Sequence, residues 1–202
     1  MTEAQEGFRF EAFGRDRIEL QLADRLIVLS QRHSEIVVLL TEHPDGLTAE
    51  QLAVALYGDF AKPVTARAEI SRLRKILGSP NAIGGEPYRL LVPVDSDVAA
   101  MRRLLFDGHV REAAVLHRDL LLPSSDAPGV VELRDELEAW ARNAVMTSDD
   151  VDALWTWASN PPGARDLPAW VRFLSNVPYQ DGRRPLAAAR VAGLRRLYAV
   201  AA

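Results

Sequence analysis

The chain has 202 residues, a formal net charge of −4, 48% hydrophobic and 26% charged residues, and no cysteine. That balance excludes a disordered chain and leaves room for one large domain or two small ones with a real apolar core. The absence of cysteine excludes disulfides, thiolate metal sites and cysteine nucleophiles. No apolar run reaches membrane length and "MTEAQEGF" lacks a signal-peptide layout, so a cytoplasmic protein with no membrane partner is expected.

Phe8 and Phe10 alternate with charged neighbours, and Ile18, Leu20 and Leu22 alternate with Glu19 and Gln21. Period two predicts half-buried strands, and Leu26 to Leu29 supply a third. At Ser30, a plausible N-cap, the period switches to 3.6, and Ile36, Leu39 and Leu40 give the helix its buried stripe. Thr48 and Gln51 form a capping-box pattern opening a second helix. Pro63 suits the first turn of a third, and Gly78 stops it. "SPNAIGGEPYRLLVP" then predicts a small hairpin, with Ala82–Ile83 and Tyr88–Leu91 around Gly84–Gly85.

Beyond Val94–Asp97 the pattern is helical throughout. "DVAAMRRLLFDGHVREAAVLHRDLLL" predicts two helices broken at Gly108, and "VVELRDELEAWARNAV" a third. "SDDVDALWTWASN", "DLPAWVRFLSNV" and "RPLAAARVAGLRRLYAV" predict three more. The expected fold class is α+β, with domains at 1–94 and 95–202. The second reads as an acidic helical tail with no basic stripe, for dimerisation or for packing on itself.

Charge is unevenly placed. From Phe60 to Arg89, Lys62, Arg67, Arg72, Arg74, Lys75 and Arg89 face only Glu69 and Glu86, so the segment carries 6 − 2 = +4 and the rest of the chain −8. On a helix, Ala66, Ile70, Leu73 and Leu77 share one arc as the core stripe. Opposite lie the small residues Val64, Ala68 and Ser71, flanked by Arg67 and Arg74 on one side and Arg72 and Lys75 on the other. A slim face with long cations at its edges can enter a major groove. A solvated helix face is the bland alternative.

"VLSQRHSEIVVLLTEHPDGLTAEQLAVALYGD…VTARAEISRLRKILG…PYRL" resembles the OmpR/PhoB-type winged helix-turn-helix DNA-binding domain, with its N-terminal antiparallel strands. The matching pieces are A-x-I-x-R-L-R-K-x-L from Ala68 to Leu77, and Tyr88–Arg89. Nearly the whole chain is similar to the C-terminal region of bacterial GAF-sensor transcription regulators. The resemblance implies DNA contacts at Thr65, Ala68, Glu69, Ser71, Arg72 and Arg74 in the third helix, and at Tyr88 and Arg89 in the wing. It also implies an upstream sensor domain. Glu69 and Ser71 stand where basic or polar readers are usual, and Pro87 where a glycine is common.

No other constellation points to chemistry. His33, His43, His109 and His117 have no metal-ligand spacing and read as surface or helix-end residues, and no serine sits in a nucleophile elbow. The four tryptophans, Trp140, Trp155, Trp157 and Trp170, read as core of the tail. The expectation is therefore a non-enzymatic, cofactor-free transcription regulator. Its expected partners are double-stranded DNA, a second copy of the chain, and an upstream sensor or the transcription machinery. The alternative is a protein-interaction module on a winged helix that no longer binds DNA.

Overall fold

The structure, a computed structural model, describes residues 7–79 and 81–200. Of "MTEAQEGF", expected not to be a signal peptide, residues 1–6 lie outside the described residues. The fold is α+β, with a small four-stranded sheet and helices that occupy most of the rest of the chain.

The predicted strands form as β1 (Phe8–Phe10), β2 (Glu19–Leu22) and β3 (Arg25–Val28). They pair antiparallel in sequence order, with Phe8 opposite Leu22 and Leu20 opposite Ile27. Phe8, Phe10, Leu20 and Leu22 are buried while Arg9, Glu19 and Gln21 face water, as the alternation requires. A fourth strand, β4 (Val94–Ser96), returns to pair parallel with β1 and completes the order β3-β2-β1-β4. Three residues carry no legible period, so β4 was not foreseeable from its own sequence.

Helices α1 (Gln31–Glu42), α2 (Ala49–Tyr57) and α3 (Pro63–Leu77) follow. Ser30 Oγ accepts from the His33 amide, and the reciprocal Thr48–Gln51 capping box is present. Gly78 ends α3 in the left-handed region at φ 64°. Arg25 Nη1 donates to the Leu77 carbonyl at 3.2 Å, putting a cation on an orphan acceptor at that helix end.

The expected hairpin forms only as an isolated bridge of Ile83 with Leu90, while Tyr88 bridges to Leu47. Two demands compete with a longer ladder. Tyr88 exchanges both backbone hydrogen bonds with Leu47, between α1 and α2, and the Glu86 carboxylate accepts from the Ala49 amide at the start of α2.

The remaining helices are α4 (Asp97–Phe106), α5 (Val110–Leu116), α6 (Pro128–Thr147), α7 (Val151–Ser159), α8 (Leu167–Asn176) and α9 (Arg184–Val200), with a 3-10 turn at Pro161–Gly163. The sequence places a boundary near Val94–Asp97; the contacts place it later and make it discontinuous. One compact unit takes the chain up to Ala100 together with Leu121–Glu136, and the other takes Met101–Leu120 and everything from Leu137.

Polar anchors explain why the first unit reaches past residue 94. The Asp97 carboxylate accepts from the Ala12 and Phe13 amides at 2.9–3.0 Å. Ser125 Oγ donates to the buried Glu35 carboxylate at 2.7 Å, and Arg134 donates to the carbonyls of Leu121, Leu122 and Ser125. Burial pushes both the Asp97 and Glu35 carboxyls above the usual range, against these hydrogen bonds.

In the second unit Trp157 and Trp170 are buried, and Trp155 stands edge-on to Trp170 at 5.8 Å. Asp166 joins three elements there. It caps α8 through the Ala169 amide, takes two hydrogen bonds from Arg142 and accepts from Trp157 Nε1.

Candidate nucleic-acid interface

The third helix turns as its periodicity requires. Ala66, Ile70, Leu73 and Leu77 are buried, whereas Val64, Thr65, Arg67, Ser71, Arg72 and Lys75 are exposed and Ala68 is half-buried between them. Exposed Lys62 precedes the helix and exposed Arg89 follows it in the turn. Lys62, Lys75 and Arg89 make no salt bridge among the described residues, so their charge is available to an external anion.

The other cations are engaged to different degrees. Arg67 stands 3.6 Å from both Glu50 and Glu86, three exposed or half-exposed groups whose attraction water largely screens. Arg72 is 65% exposed but has its Nη1 held 2.5 Å from Glu69. Arg74 is committed inward. Its Nη2 donates to the carbonyls of Ile83 and Gly84, and its guanidinium lies 5.8 Å from the centre of the Tyr88 ring.

Arg74 and Tyr88, both expected at the DNA face, are thus engaged within the unit. Arg74 follows Leu73 directly, at the border of the buried stripe, and clamps the turn onto α3. Tyr88 is only 7% exposed because its ring and both main-chain groups are used inside the unit. Glu69, whose side chain is 13% exposed, turns toward α1, where its Oε2 lies 3.2 Å from Nε2 of buried His33. That pair joins residues 36 positions apart, and no periodicity signals it.

Helix-end positions hold for His43, His109 and His117, but His33 lies within α1 and both His33 and His117 are buried. Burial against Trp157, whose ring centre is 5.7 Å away, pushes the His117 imidazole down to about 4. Among the described residues no cluster of histidine and carboxylate side chains is placed to hold a metal, and no helix is long and apolar enough to cross a membrane.

The tail differs from its expected character in two ways. Residues 95–202 carry 13 basic and 15 acidic side chains, a sum of only 13 − 15 = −2; most acidity lies in residues 1–59, at 5 − 11 = −6. Asp150 and Asp152 are paired, with Arg111 reaching both and Arg183 reaching Asp152. From residue 182 onward there is no acid, and α9 presents exposed Arg190, Arg195 and Arg196. The tail therefore contains a basic helix after all.

Comparison with known proteins gives a family match in this second half and a relative along most of the chain. Residues 150–200, covering α7 to α9, match the family described as YTH3-like protein, third C-terminal helical domain. The chain is also 36% identical over 178 residues to an uncharacterized 47.3 kDa protein in the thcA 5' region of Rhodococcus erythropolis. That match covers 88% of this chain and 40% of the relative, so the chain spans about two fifths of the relative's length.

Proposed function

We propose that the first unit is a winged-helix module that binds duplex DNA, with α3 in the major groove and the 83–90 turn acting as a wing on the backbone. The observation that supports this reading is the outer face of α3. It is slim at Val64, Ala68 and Ser71, and carries exposed Thr65, Arg67, Arg72 and Lys75. Exposed Lys62 and Arg89 extend the same positive segment. In this reading the full protein is a cytoplasmic transcription regulator of the GAF-sensor kind, and the helical tail contacts a second copy, an upstream sensor or the transcription machinery.

With Arg74 held inside, five exposed cations remain for DNA. The log of affinity should then fall with the log of salt at a slope of roughly −4. Titration of the purified chain into a pool of genomic duplex fragments across salt concentrations tests this. Undetectable or salt-independent binding would overturn it.

A second reading, a protein-interaction module, has one observation in its favour. Phe60 is fully exposed between α2 and α3, and Val54, Tyr57 and Val64 close by in sequence are exposed too. Apolar surface of this kind fits a protein partner better than a phosphate backbone.

A further inference from the structure

We infer that Glu69 is a positioning residue: it does not touch DNA but, largely buried beside α1, fixes the guanidinium of Arg72 for reading a base. This rests on the DNA-binding reading above. By sequence position Glu69 looks like a reader, yet its side chain is only 13% exposed.

Each of its two oxygens has its own cationic or ring-nitrogen neighbour. Oε1 stands 2.5 Å from Arg72 Nη1, one helical turn on, and Oε2 stands 3.2 Å from His33 Nε2 on α1. His33 Nε2 makes no hydrogen bond to it, so what restrains the carboxylate is its burial against α1 together with the Arg72 bond. His33 in turn has an 8% exposed side chain on a helix whose N-terminus Ser30 caps.

An ordinary exposed glutamate–arginine pair is weak, because two long side chains must be ordered to make it. Here the glutamate is ordered already, so less rotamer freedom remains to be lost when DNA binds. Arg67 is the contrast on the same helix. Its two carboxylates stand at 3.6 Å, and both are more exposed than Glu69. With Nη1 engaged, Arg72 still has Nε and Nη2, a pair of parallel donors matching the O6 and N7 acceptors of a guanine edge.

A second consequence distinguishes positioning from charge. If Glu69 acted only as a negative charge, removing it would strengthen binding to every duplex alike, by one unit of phosphate repulsion. If it positions Arg72, its loss must also lower the preference for one sequence over another.

The test uses the full chain. A preferred duplex is selected from a randomised library, and affinities for it and for a scrambled duplex are measured across salt for the wild type, Glu69→Gln, Arg72→Ala and the double variant. The expected result for Glu69→Gln is a preference ratio reduced about tenfold, with scrambled-duplex binding equal or tighter. Adding it to Arg72→Ala should leave the ratio where Arg72→Ala alone puts it.

Glu69→Asp keeps the charge and withdraws the carboxylate, so it should lower the ratio with an unchanged salt slope. It carries the test if Glu69→Gln fails to fold. A retained ratio in either variant, or a further fall in the double variant, overturns the positioning role alone. A wild type that binds no duplex overturns it together with the DNA-binding reading.

Discussion

A Cβ atom on Gly163 would lie 2.2 Å from the main-chain oxygen of Trp157. The 3-10 turn at Pro161–Gly163 thus passes against the end of α7 at a separation that only a glycine permits. Both residues are buried, and no flexible side-chain end is available to yield. Gly163→Ala should therefore destabilise the second unit by about 2–4 kcal/mol, as other forced overpacking does. Urea unfolding followed by tryptophan fluorescence measures it; a loss under about 0.5 kcal/mol would show that the turn moves aside easily.

His117 predicts how stability varies with pH. Its folded pKa, about 4, lies below the ordinary value of 6.5, so the unfolded chain binds the proton first. The contribution is fully present above pH 6.5 and is lost as pH falls from there toward 4. Between pH 8 and pH 5 it should amount to about 2 kcal/mol. Thermal melts of the wild type and His117→Gln over that range check it, and parallel curves would refute the assignment.

Ser125→Ala removes the hydroxyl that donates to the buried Glu35 carboxylate. Arg32 remains beside the other oxygen at 2.6 Å, so the charge keeps a partner but loses a hydrogen bond. A cost of about 1–3 kcal/mol is expected, read from chemical denaturation. A chain cut after residue 95 loses Ser125 and all of Leu121–Glu136, and should be less stable still.

The cations of α3 and the turn should separate into three behaviours. Arg72→Ala should cost about 1–3 kcal/mol on a preferred duplex and much less on random DNA. Arg89→Ala should weaken both alike and lower the salt slope by about one. Arg74→Ala should instead lower the melting temperature, since it unclamps the Ile83–Gly84 carbonyls and uncovers Tyr88. Equal losses on both duplexes for Arg72→Ala would remove its base-reading role.

Local signals made much of this fold legible. Ser30, the Thr48–Gln51 box, Pro63 and Gly78 each act within one turn of themselves, and each stands where the sequence put it. The alternation at Phe8–Phe10 and Ile18–Leu22 likewise fixes its own strands. What escaped depends on partners far along the chain: β4 beside β1, Asp97 on the Ala12 and Phe13 amides, and Ser125 on Glu35. The face proposed for DNA is affected in the same way. Helical angle alone put Lys75 and Ser71 outside, but only the tertiary neighbours Ile83, Gly84, Leu47 and His33 turn Arg74, Tyr88 and Glu69 inward.

The first unit is made of two separated stretches, so it cannot be finished when its last strand has been made. A ribosome that has just released Ser96 has delivered the sheet and all of α1 to α3, but the Glu35 carboxylate still waits for Ser125. Only after the intervening Met101–Leu120 has been threaded out does the closing piece, Leu121–Glu136, arrive. Growing chains halted at residue 96 and at successive points beyond 136 should differ in resistance to a protease, and the gain should come late and in one step.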